Sequence, residues 1–118
     1  MPVRSLNSSV FKWPDVKTVD QAMRRWAKDA VQVRTDVLRI GYFGSYARGN
    51  WGVGSDLDLI LILDRCELSF EKRALEWDVL DLPVPVDVVV YTQAEWDKLA
   101  GEKRRFYRVI EREAVWVY

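Results

Sequence analysis

The spacing of apolar residues changes period along this chain, and each change marks an element. Between Asp15 and Val33 the positions Val16, Val19, Met23, Trp26, Ala27, Ala30 and Val33 recur every three or four residues, with charged residues between them. That pattern is one face of an amphipathic helix. The period then shortens. "VLRIGYF" (37–43) reads as a short strand running into a turn at Gly44, residues 45–50 suit a short helix, and "LDLILIL" (57–63) reads as a second strand. Ser69 reads as the cap of a helix running to about Val79. After Pro83 and Pro85, "VDVVVY" (86–91) makes a third strand. Thr92 and Glu95 have capping-box spacing, which predicts a helix start there. A further helix is expected over Glu102–Arg112, with Phe106, Val109 and Ile110 as its buried stripe, and "AVWVY" closes as an edge strand. Residues 1–14 read as an irregular lead-in and 15–118 as a single domain. Helices and strands alternate, but the short connection after the first strand does not force a purely parallel sheet.

Composition narrows the function classes. Eighteen basic and eighteen acidic residues give a formal net charge of zero, so no long-range field recruits nucleic acid or an anionic membrane. The longest aliphatic run, "LILIL", is far short of a membrane span. One cysteine, Cys66, permits no intrachain disulfide and favours a cytoplasmic setting. There is no histidine. A Ser/His/Asp or Cys/His hydrolase is therefore excluded, and any metal must be held by oxygen, which means magnesium, manganese or calcium.

The second strand carries an anomaly. Asp56 and Asp58 stand two residues apart, so their side chains point to one face while Leu57, Leu59, Leu61 and Leu63 point to the other. At about 3.3 Å rise per residue the two backbones are about 6–7 Å apart. Two ionised groups at that distance repel by roughly 2–3 kcal/mol at an effective dielectric near 20. A structural strand gains nothing from such a pair, whereas a hard divalent cation reverses the sign. Asp87 heads the third apolar run. If the two strands are neighbours, three acids converge at one end of the sheet and can hold one or two metal ions in line with a phosphoryl group. Any one of these acids alone is better read as a turn or cap residue; the three together read as a site.

Gly44 and Ser45 follow a strand and precede the short helix, which puts backbone N–H groups and a hydroxyl where anions bind. Arg48 adds a guanidinium fork within the same turn. "GS" after a strand is weak by itself, and the "DLD" that follows strengthens it.

"GSYARGNWGVGSDLDL" (44–59) resembles the signature of the nucleotidyltransferase superfamily that includes DNA polymerase β. More narrowly it is similar to the minimal nucleotidyltransferase (MNT) proteins, with a GS-x-A-R-G box followed by S-D-x-D-L. The resemblance covers roughly Val37 to Tyr91 by motif. It implies an α+β fold of the polymerase β palm type, a small mixed β-sheet backed by helices. It further implies Gly44, Ser45, Arg48 and Ser55 as nucleotide contacts, with Arg48 bracing either the phosphates or the short helix. Asp56, Asp58 and Asp87 would be the catalytic acids and metal ligands. The implied cofactor is magnesium, one or two ions, with ATP or another NTP as substrate. The reaction is transfer of a nucleoside monophosphate, AMP above all, to an acceptor hydroxyl. In the MNT group that acceptor is often a tyrosine on a helical toxin of the HEPN type, and the minimal protein serves as antitoxin. An alternative is a non-catalytic antitoxin that neutralises such a toxin by contact. A small-molecule nucleotidyltransferase and a template-independent nucleic-acid polymerase are both disfavoured, the second also by the neutral charge.

Trp51 lies between the two halves of the motif, where a ring either stacks on a base or packs the loop. Packing is the simpler reading, for Tyr46 as well. Six tryptophans exceed the needs of a small core, which leaves room for a partner surface or a homodimer. "EKRRFYRVIERE" (102–113) holds five basic residues and three glutamates and reads as a solvated amphipathic helix.

Overall fold

The computed structural model describes residues 12–118; the first eleven residues of the expected lead-in lie outside the described residues. Helix α1 (Val16–Val33) starts where the periodicity places it, with the Asp15 carboxylate accepting from Thr18 N–H at 2.9 Å. Strand β1 (Val37–Phe43), helix α2 (Ser45–Arg48) and strand β2 (Leu57–Leu63) follow. Then come a single turn, α3 (Phe70–Arg73), and strand β3 (Val86–Thr92). Helices α4 (Gln93–Gly101) and α5 (Arg105–Glu113) and the short strand β4 (Val115–Trp116) complete the chain.

Among the described residues four strands form one mixed sheet in the order β3-β2-β1-β4. β1 runs antiparallel to β2 and β4, and β2 runs parallel to β3. The fold class is α+β, as expected. Val19, Met23 and Ala27 of α1 pack on one face of the sheet, against Leu57, Leu59, Leu61 and Leu63. The other face of β2 is also covered: Ile60 and Ile62 lie under Trp96 of α4 and Ile110 of α5. Burial on both faces explains why β2 is apolar without alternation beyond Asp58. Within β2 only Asp58 is less than fully buried. No described helix is long and apolar enough to cross a membrane.

Two expectations need correction. Val33 lies on the helical stripe but is 79% exposed, because α1 ends there and its last residue lies beyond the packed stripe. The helix expected from Ser69 to Val79 stops after Arg73 and continues only as a 3₁₀ turn, Ala74–Glu76. Ser69 makes no capping bond. The chain leaves helical geometry at Trp77, which with Leu82 and Val84 fills the core from an irregular segment. The Thr92–Glu95 capping box forms as read.

Arg73 decides how this segment folds back. Its guanidinium is buried and donates to the carbonyls of Leu68 and Val90 and to both oxygens of Glu95, at 2.6–3.1 Å. Glu95 also accepts from Thr92 N–H. Removing one partner of a buried bidentate pair costs about 3–5 kcal/mol in general, and somewhat less here because the Glu95 side chain is 41% exposed. Arg73→Ala is therefore expected to destabilise the fold by about 2–4 kcal/mol in denaturant unfolding. The Arg73 hydrogen bond holds the Glu95 carboxyl below its usual range. That contribution is present above the ordinary glutamate value of 4.5 and is lost as pH falls through the depressed one. The gap between wild type and Arg73→Ala should accordingly narrow below pH 4.5.

Candidate active site

The sheet sets two of the three expected acids side by side. In the β2–β3 ladder Asp58 pairs with Asp87, and in the β1–β2 ladder it pairs with Phe43, one residue before Gly44. Paired residues of adjacent strands share a face and stand about 4.8 Å apart. Asp56 lies just ahead of β2, exposed in the loop. Burial pushes the Asp58 carboxyl upward, and repulsion from Asp87, Asp56 and Glu113 adds to it; only Arg48 works the other way. The site therefore carries an excess of negative charge around one partly desolvated carboxylate.

Gly44 sets the distance between the loop and this charge. Its φ of 81° and ψ of −152° belong to a region that is essentially reserved for glycine. A side chain there would collide with the Asp58 carboxylate. Gly49 closes α2 in the left-handed conformation. Trp51 stacks on Tyr46 with ring centres 5.8 Å apart and planes within 5°. The Tyr46 hydroxyl accepts from Trp13 Nε1 and donates to the Pro14 carbonyl. Both rings thus pack the loop against the start of α1, the plainer of the two readings. Ser55 is committed to the loop as well, its hydroxyl oxygen accepting from Gly52 N–H at 2.8 Å. Ser45 is half-buried at the start of α2.

Gly44, Arg48 and Asp58 line an open groove of about 400 Å³, lined also by Arg105, Phe106, Val109 and Glu113 of α5. That volume lies within the range of small-molecule sites. The α5 residues were not legible as site residues. Glu113 in particular reaches the loop from 69 positions away and accepts from Gly44 N–H. In sequence it is one of several glutamates in a charged helix, with no local signal to single it out.

Among the described residues no group of three His, Cys, Asp or Glu is placed so as to enclose a metal ion. A magnesium-type ion does not require such a cage. It takes one or two carboxylates and completes its shell with water and phosphate oxygens. Asp58 and Asp87, paired in register, would meet that requirement, and a cation would offset the repulsion that Asp58 meets from its neighbouring acids.

The match to known families decides what this geometry belongs to. A family model described as a nucleotidyltransferase domain matches residues 24–117, the span from α1 to β4. The chain belongs to the nucleotidyltransferase domain family. The match takes in both halves of the motif and Asp87, and it agrees with the resemblance to the minimal nucleotidyltransferases. This nucleotidyltransferase is also similar in fold to the crystal structure of a proposed nucleotidyltransferase from Sulfolobus solfataricus. The two share 18% identity over 75% of this chain and 83% of the other, with a TM-score of 0.54. No curated protein sequence matches it.

Proposed function

We propose that this nucleotidyltransferase moves a nucleoside monophosphate, AMP in the first instance, from an NTP to a hydroxyl of a partner protein, with magnesium as its metal. The observation that carries the proposal is the in-register pairing of Asp58 with Asp87, with the side-chain-free Gly44 against the Asp58 carboxylate. Asp56 and Asp58 would hold the metal, with Asp87 as the third acid, nearest the attacking hydroxyl. Magnesium, when bound, neutralises phosphate charge and makes the acceptor hydroxyl more acidic. Gly44, Ser45 and Arg48 would orient the triphosphate by hydrogen bonds to its oxygens. The acceptor oxygen bonds to the α-phosphorus as the bond to the α,β-bridging oxygen breaks. Pyrophosphate leaves with that electron pair, and the hydroxyl proton passes to Asp87 or to water.

The protein acceptor is supported by the resemblance to the minimal nucleotidyltransferases and by the zero net charge, which offers no general attraction for nucleic acid. A toxin of the HEPN type is the partner this reading favours, in a reducing cytoplasmic setting that suits a single free cysteine.

The test incubates the purified chain with magnesium, α-labelled ATP, CTP, GTP and UTP in turn, and lysate of its source organism, with Asp58→Ala as control. A labelled protein band that requires wild-type enzyme is the expected result, and its mass leads to the partner. Label in nucleic acid or in a small molecule would overturn the protein acceptor. No transfer, together with tight binding of a helical protein that Asp58→Ala leaves intact, would replace the enzyme with an antitoxin acting by contact.

A further inference from the structure

One carboxylate stands where the proposed reaction needs a phosphate. Glu113 Oε2 accepts from Gly44 N–H at 2.8 Å and from Arg48 Nη1 at 3.2 Å. A backbone donor and a guanidinium that converge on a single anionic oxygen form the donor set of a phosphate-oxygen seat. The Glu113 side chain is sheltered, at 15% exposure, while that of Arg48 is 49% exposed. The contact is odd on electrostatic grounds, because it adds a fourth acid beside Asp56, Asp58 and Asp87. Only Arg48 forms an ion pair with it among the described residues. Glu113 is also the last residue of α5, so its side chain can swing away at a helix end and leave the helical ladder intact.

We propose that Glu113 is an internal stand-in for a nucleotide phosphate, which holds Gly44 N–H and Arg48 in the empty enzyme and is displaced by the incoming triphosphate. The inference rests on the nucleotide reading of the same site and adds its regulation. In the empty state the stand-in satisfies a buried backbone donor and keeps Arg48 oriented. In exchange it competes with substrate, so the apparent affinity is lower than the seat alone would give.

The test is isothermal titration of ATP, CTP, GTP and UTP, each with magnesium, into wild type, Glu113→Gln, Glu113→Ala and Glu111→Gln. Glu111 lies on the same helix but faces Arg39, so its substitution removes the same charge without touching the seat. The expected result is tightening of at least about fivefold for both position-113 variants, the lower end of typical coupling between two competing states, and none for Glu111→Gln. Unchanged or weaker binding in the position-113 variants, with nucleotide still bound by wild type, would overturn the stand-in and leave the nucleotide reading in place. Equal tightening in Glu111→Gln would reduce the effect to net charge and overturn it as well. Binding of no nucleotide by any of the four proteins would remove the nucleotide reading, and the inference with it.

Discussion

Asp58→Asn is expected to lower nucleotidyl transfer by about 10²–10³-fold and, without metal, to make the chain more stable. The two effects share a cause. Asp58 is partly buried and stands beside Asp87 and Asp56, and both desolvation and repulsion hold its carboxyl above the usual aspartate range. A group with a raised folded-state pKa favours the folded chain at low pH and loses that advantage as pH rises through the raised value. At neutral pH the charged Asp58 therefore weighs against folding. Asparagine keeps the shape without the charge, and a gain of about 0.5–2 kcal/mol is the usual size for relief of this kind. Thermal melts with and without magnesium and nucleotide check it. Wild type should rise on addition of both, and Asp58→Asn should start higher and rise less. A variant that is active, or that unfolds more easily, would make Asp58 a structural residue.

The second large effect is expected from one methyl group. Gly44→Ala places a Cβ on the Asp58 carboxylate and holds alanine at φ 81°, ψ −152°, which by itself costs of the order of 1–3 kcal/mol. Collision and strain act together, so a loss of at least about 2 kcal/mol is expected, which is roughly 10 °C in Tm for a domain of this size. Gly49→Ala is the internal comparison. Gly49 has a similar φ of 85°, but it lies in the left-handed region that alanine can enter at about 1–2 kcal/mol, and nothing stands within 4 Å of its Cβ position. If both variants lose the same stability, the contact between loop and carboxylate is not what fixes glycine at position 44. If Gly44→Ala folds normally but no longer binds nucleotide, the close approach serves the ligand rather than the fold.

Several features of the site were legible because they are local. Asp58 stands out as the one acid inside an apolar strand, and β2 forms over the residues read for it, whereas Asp56 falls just outside the strand. A glycine and a serine between a strand and a short helix present backbone N–H groups wherever the chain goes next. The Thr92–Glu95 capping box closes over four residues, and α1 follows its 3.6-residue period from Asp15 onward. The one element misjudged, residues 69–79, carries helical propensity that a distant partner overrides. Arg73 is drawn inward by Glu95 and the Val90 carbonyl, and Trp77 is drawn into the core beside α1.

The sequence by itself determined the first helix, the three main strands, the capping box and the family, because each is written in residues a few positions apart. Only the tertiary structure decided that β3 lies beside β2 in a register that sets Asp87 against Asp58. A shift of one residue would have sent Asp87 to the opposite face. The tertiary structure likewise covered Ile60 and Ile62 with α4 and α5, and it carried Glu113 to Gly44. Periodicity and caps act over one or two turns of chain. Strand register and the placement of a remote carboxylate are set by packing between segments that have no short-range means of specifying one another.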